Sequence, residues 1–244
     1  MRVVEGDRRL HVVLDRPDVR NAINEAMVAD LHLVCSELER HPRVLIISGG
    51  PKVFASGADL HELLERSPDQ GRAGINRRLF DRIAQLPLPT IAAVAGLAIG
   101  GGAELAYACD FRIGTPGTRF LQPEVRLGVL PASGACSRLP ALIGPARAKE
   151  LLLAGGEMDA DTALRAGLLN EVVEPPALLA GAHQWADRIL AGGELALQLT
   201  KACVDAPPGA HPALDDTSQA ILFGSGEKDH RISALIARGR QPRP

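Results

Sequence analysis

Aromatic side chains are scarce: one Trp, one Tyr and five Phe make up only 3% of 244 residues. So thin a set cannot build stacking platforms for single-stranded nucleic acid, and the core must rest on Leu, Val, Ile and Ala. A charge excess of either sign is missing too. The formal net charge of −2 draws neither nucleic acid nor an anionic membrane surface. No CxxC is present. Cys35, Cys109, Cys136 and Cys203 stand far apart in apolar contexts, the pattern of reduced core residues in a cytosolic protein. The seven histidines, His61 and His183 among them, show no metal-ligand spacing, so no metal is expected. A Walker loop, a complete GxGxxG fingerprint and a GxSxG elbow are also absent, and Ser133 sits in PASGA. The amino-terminal MRVVEGDRR lacks the apolar segment of a secretory signal. Glycines and a charge interrupt the longest apolar run, which argues against a membrane span. A cytoplasmic location is the expectation.

What is present suits an ordinary globular protein. Apolar residues are 46% and charged residues 23% of the chain, enough for a substantial core in one domain, with room for a helical appendage. Val3-Val4 and residues 10–14, separated by Gly6-Asp7, predict a β-hairpin. Asn24 can cap a helix over 25–40, where Ala26, Val28, Leu31, Val34, Cys35 and Leu38 recur near a 3.6 period. Residues 44–48 (VLIIS) and 90–95 have the continuous apolar pattern of buried parallel strands. Between them a polar loop leads to a helix from about Gly74 to Leu86, stopped by Pro87 and Pro89. Short strands are expected at 112–114 and 119–121, and a late one at 168–173. Helical patterns dominate from Ala146, over 146–155, 177–191, 194–205 and 228–238, with a break at Pro207-Pro208-Gly209. Alternating strands and helices in the first half predict an α/β layered core.

One stretch carries the chemistry. From Ile91 to Cys109 the only charge is Glu104, just behind Gly100-Gly101-Gly102. A carboxylate in so apolar a run is costly unless something uses or pairs it. The glycines let main-chain N–H groups approach a ligand, and the helix predicted after them presents its positive end. A second glycine-bearing loop, in FASGADL at 54–60, also follows a strand and opens a helix near Asp59. Two such loops can aim two N–H groups at one oxygen, although two ordinary strand-to-helix turns have the same spacing. Glu124, in QPEV, stands among apolar neighbours twenty residues beyond Glu104. Two carboxylates in apolar settings have their pKa values pushed up and apart, which suits acid–base work. A surface-loop glutamate is the plainer reading of Glu124 alone. Arg238, Arg240 and Arg243 make a basic carboxyl-terminal end, either a solvated tail or a contact for phosphates.

Several ordered motifs together resemble the crotonase, or enoyl-CoA hydratase/isomerase, superfamily. They are LDRPDVRNAIN at 14–24, FASGADL at 54–60, AIGGGAELAYACD at 98–110 and FLQPEVRLGVLPASGACSRLPALIG at 120–144, followed by ARAKELLLAG and ALRAGLLNEVV. The resemblance implies an α/β fold: a spiral of repeated ββα units at 1–190, then a helical carboxyl-terminal region at 191–244 that assembles homotrimers, often paired into hexamers. It implies an acyl-CoA thioester as substrate, with coenzyme A as part of that substrate and no separate cofactor. The thioester oxygen would be held by the N–H groups of Ala58 and Gly101. Arg20, Ala22, Ala58, Asp59, Leu60 and Gly101 would lie along the CoA thioester.

Glutamates at both the GGGxEL and QPE positions, here Glu104 and Glu124, are the hydratase pattern within the superfamily. The implied reaction is syn addition of water across a 2-trans-enoyl-CoA to give a 3-hydroxyacyl-CoA. Glu124 would protonate Cα while Glu104 assists attack at Cβ. Alternatives are double-bond isomerisation or another crotonase reaction, and a non-catalytic acyl-CoA binding protein. Ala95 and Leu97 replace the usual Asn and Tyr, and Ala132 and Ala135 stand where glycine is frequent.

Overall fold

The chain folds by repeating one motif and dealing its strands alternately into two sheets. The structure, a computed structural model, describes residues 1–239; Arg240 and Arg243 lie outside them, and of Arg238 only its place in a helix is described. Strands β1 (Arg2–Glu5) and β2 (Arg9–Val13) form the expected hairpin, with Val3 opposite Val12. Helix α1 (Glu25–Arg40) has the expected bounds. Asn24 Oδ1 accepts from Met27 N at 3.1 Å, satisfying one of the helix's free first-turn donors. Its apolar stripe, from Met27 to Leu38, is buried.

The first turn of the spiral runs through β3 (Val44–Ser48), β4 (Val53–Ala55) and helices α2 (Leu60–Glu65), α3 (Pro68–Ala73) and α4 (Ile75–Ala84). The second runs through β5 (Thr90–Val94), β6 (Leu97–Ile99) and α5 (Gly101–Ala108). The third comprises β7 (Phe111–Gly114), β8 (Arg119–Leu121), α6 (Ala135–Ile143) and α7 (Pro145–Ala154). Then follow β9 (Glu157–Asp159), α8 (Ala160–Arg165), β10 (Glu171–Val172) and α9 (Leu178–Leu190). The first strand of each turn joins a six-stranded sheet ordered β1-β2-β3-β5-β7-β10; the second joins a four-stranded sheet ordered β4-β6-β8-β9. This is the repeated ββα spiral that the resemblance implies. Strands β2, β3, β5 and β7 pair in parallel, with Ile46 beside Ile91. Every residue of β3 and β5 is buried, which explains their unbroken apolar runs.

Two compact units divide the chain at Asp187 and Arg188. The second contains α10 (Glu194–Val204), α11 (Ala213–Phe223) and α12 (Gly226–Gly239). It exposes Val204, Ile221, Phe223, Ile232, Leu235 and Ile236. Among the described residues no helix is long and apolar enough to cross a membrane.

Some expectations need correction. The polar loop before α4 contains two short helices. Asp59 caps α2 through His61 N at 3.2 Å, and Ser67 and Gln70 form a reciprocal capping box at the start of α3, with Pro68 in its first turn. Helices α6 and α11 were also not foreseen, and the late strand shrinks to Glu171–Val172 because Leu168 and Leu169 bury themselves in the preceding turn. Of the four cysteines expected in the core, only Cys35 and Cys109 are buried. Cys136 lies on the outward side of α6, and Cys203 is half-buried beside Ser218, Sγ to Oγ 3.4 Å.

Candidate active site

Two loops at the ends of successive second-sheet strands meet. After β4 the chain makes one parallel bridge between Ile23 and Ala58: Ile23 N donates to Gly57 O at 2.8 Å and Asp59 N to Ile23 O at 3.0 Å. In that pattern the N–H of Ala58 points away from Ile23. After β6, Gly100 takes φ 51° and donates to Leu121 O at 2.8 Å, and Gly101 opens α5 with its N–H unsatisfied by the helix. Gly57 has φ 98°, and a β-carbon there would stand 2.9 Å from Ile99 O and 3.5 Å from Gly101 N. A β-carbon on Gly101 would stand 3.4 Å from Ala58 N. The two amides are therefore neighbours, and neither donates to a protein acceptor among the described residues. Arg112 fixes the far end of α5 by donating to the carbonyls of Ala106 and Cys109.

Glu104 lies one turn into α5 and is 3% exposed. Its Oε1 accepts from Ser133 N at 2.8 Å and Ala135 N at 3.0 Å, which answers the question of what pairs this lone carboxylate. Burial holds its pKa above the ordinary carboxylate value, opposed by those two amides and by the charge of Arg138. Ala135 is the first residue of α6, where a methyl side chain leaves its N–H free to donate. The alanine replacing a frequent glycine thus keeps the contact.

Glu124 follows Pro123 and is half-buried. Its pKa is pushed up to about 7, first by burial and then by the charge of Glu104. Gln122 is 1% exposed; with its amide nitrogen turned toward Glu124 it donates to Oε2 at 2.9 Å and Oε1 at 3.2 Å. The carboxylate also stands over the glycine loop, since a β-carbon on Gly100 would come 2.5 Å from Glu124 Oε1.

Ala58, Leu60, Gly101, Glu104 and Glu124 all line one cleft of about 660 Å³. Arg20, Ala22 and Asp59 do not. They support its first loop from behind: Ser56 N donates to Arg20 O at 3.1 Å, and Arg16 Nη1 bonds both Ala22 O at 2.6 Å and Asp59 Oδ2 at 3.2 Å. That ion pair and hydrogen bonding to the backbone keep the Asp59 carboxyl below its usual range against the opposing pull of burial, the largest single influence on it. Sequence reasoning missed Arg16, the amide donors of Ser133 and Ala135, and the cleft-lining Arg66 and Asn76. Arg16 lies inside the LDRPDVRNAIN motif, so a signal for it was at hand. Backbone donors leave no side-chain signature, and Arg66 sits in a polar stretch without periodicity. Among the described residues no group of three or more His, Cys, Asp or Glu could hold a metal ion.

A ββα spiral whose glycine loops meet at a cleft lined by one buried and one half-buried carboxylate matches the architecture of the crotonase superfamily. The sequence profile of the enoyl-CoA hydratase/isomerase family matches residues 9–221, and the chain belongs to that family. It is 40% identical over 209 residues to the crotonyl-CoA hydratase of Syntrophomonas wolfei, covering 83% of this chain and 80% of that protein. Against the short-chain-enoyl-CoA hydratase of Clostridium acetobutylicum the identity is 39% over 209 residues, with the same coverages. A solved enoyl-CoA hydratase from Bacillus anthracis matches with a TM-score of 0.91 at 29% identity, over 97% of this chain and 96% of that one.

Proposed function

We propose that this chain is an enoyl-CoA hydratase that adds water syn across a 2-trans-enoyl-CoA to give the 3-hydroxyacyl-CoA. The observation that carries the reading is the pair of carboxyls, Glu104 and Glu124, both held above the ordinary pKa in the cleft that contains the Ala58 and Gly101 amides. The names of the two bacterial relatives support it.

In this mechanism the thioester oxygen accepts from Ala58 N and Gly101 N. Negative charge gathers there as water attacks Cβ, so donors already in place stabilise the transition state more than the ground state. Each such donor contributes about 3 kcal/mol in other enzymes. Both amides on Glu104 bond Oε1, which leaves Oε2 to orient the water and to take its proton as the water oxygen bonds Cβ. Glu124 holds the water from the other side and delivers the proton to Cα. Coenzyme A enters as part of the substrate, and the scheme draws on no metal or redox group.

Turnover of crotonyl-CoA, followed by loss of the enoyl absorbance, tests the reading. A protein that isomerises 3-enoyl-CoA but leaves 2-enoyl-CoA unhydrated would overturn it. The pH profile is a second test. Hydration releases no net proton, so forward and reverse kcat/KM share one pH dependence, and the working state is the pair carrying a single proton. Raising the pH through about 7 strips that proton from Glu124. Activity therefore falls on the alkaline side in both directions, with apparent values that belong to the pair. A flat profile from pH 6 to 9 (roughly the span over which such a group titrates) contradicts the assignment.

We further propose that the chain works as a homotrimer or a hexamer of paired trimers. The apolar side chains exposed on α10, α11 and α12 support self-association. Light scattering should give a mass of three or six chains, and a monomer would exclude it.

A further inference from the structure

The cleft has a polar wall that the hydration chemistry leaves unused. Two arginines line it, and they differ. Arg77 has a carboxylate partner, its Nη1 donating to Asp81 Oδ2 at 3.0 Å, and it shares that carboxylate with Arg138, whose Nη2 donates to Oδ1 at 2.6 Å. Arg66 has no carboxylate partner among the described residues, and its Nε is buried without an acceptor. Arg66 closes α2, and Leu60, Leu63 and Arg66, three residues apart, all line the cleft. One face of α2 thus forms the wall from the first glycine loop to the guanidinium. Six helical residues rise about 9 Å, which puts Arg66 well beyond the Ala58 amide. Of the residues expected along the CoA thioester, Arg20, Ala22 and Asp59 lie outside the cleft and Leu60 opens this wall, and Arg66 at its far end is taken to face the acyl chain.

Asn76, near the start of α4, adds a second unpaired polar group. It is 5% exposed and lines the same cleft, and its Oδ1 is buried without a partner. Its Nδ2 is 3.8 Å from where a β-carbon on Gly101 would stand. A plain alkyl chain would cover the Arg66 guanidinium and leave its Nε without an acceptor, and a site with a stranded polar group discriminates against such a ligand.

We propose, building on the hydratase reading, that the acyl chain of the preferred substrate ends in a carboxylate, and that Arg66 is the residue that selects it. The substrate class is a short 2-enoyl-CoA with a dicarboxylic acyl group. The carboxylate gives the buried Nε its missing acceptor and the guanidinium its missing counter-charge, a match of planar fork to planar anion.

The test compares glutaconyl-CoA, crotonyl-CoA and 2-hexenoyl-CoA as substrates. The wild-type protein should show its highest kcat/KM on glutaconyl-CoA. Arg66→Met should lower the glutaconyl-to-crotonyl ratio of kcat/KM about 30-fold, the scale of a charge-assisted hydrogen bond, and Arg66→Lys should fall between. A wild-type preference for either methyl-ended substrate overturns the proposal. So does an equal loss on all three in Arg66→Met, which would mean that Arg66 holds the CoA moiety. If no 2-enoyl-CoA is hydrated, the hydratase reading fails by itself and calorimetry decides the inference. Glutaryl-CoA should then bind more tightly than butyryl-CoA, an advantage lost in Arg66→Met; equal affinities overturn it.

Discussion

Glutamine in place of Glu124 should lower kcat for crotonyl-CoA hydration by about three orders of magnitude, within the range of a lost general acid–base group, while KM moves little. The amide keeps the size of the carboxyl and its contact with Gln122 but has no proton to deliver to Cα. Folding should not suffer. The folded-state pKa of Glu124 lies near 7, above the ordinary 4.5. A carboxyl raised in this way favours the fold while protonated, and that contribution is lost as the pH rises from about 4.5 through 7. At pH 8, above that window, glutamine removes a half-buried charge, so the variant should melt no lower than the wild type. The alkaline limb of the pH profile should vanish with the activity. Turnover at the wild-type rate would sink the assignment of Glu124 as the proton donor.

The arrangement behind this prediction was partly legible in the sequence. Helix α1 was readable because its cap, its period and its buried face all agree. Strands β3 and β5 were readable because parallel strands covered on both faces leave unbroken apolar runs. Glu104 drew notice through an isolated charge, and the two glycine loops through their place after strands. Their convergence was not readable, since it depends on β4 and β6 being neighbours in the second sheet, a pairing that joins residues more than forty positions apart. The Ser133 and Ala135 amides were hidden for a different reason: any residue carries that donor, so only the turn before α6 aims it. The capping box of α3 was plain in Ser67-Pro68-Asp69-Gln70, but polar composition outweighed it. What escaped was thus mostly long-range pairing and main-chain geometry.

Alanine at position 100 should lower kcat/KM for crotonyl-CoA by about a hundredfold, the scale of a misplacement near 1 Å at a reacting centre, although no functional group is removed. Gly100 holds φ 51° and ψ −123°, where a β-carbon is strained at a cost of about 1–3 kcal/mol. That β-carbon would also stand 2.5 Å from Glu124 Oε1, closer than contact allows. The carboxylate is the movable partner and must swing off the glycine loop. Two readouts separate this from simple destabilisation. The alkaline limb near pH 7 should shift downward, because a carboxyl displaced from burial, the main cause of its raised pKa, returns toward its ordinary value. The double variant Gly100→Ala/Glu124→Gln should be no slower than Glu124→Gln alone, since both changes act on the same proton. A further hundredfold loss in the double variant would instead place the damage at the Gly101 amide. Full activity in Gly100→Ala would mean that the carboxylate over the loop is not the one that moves the proton.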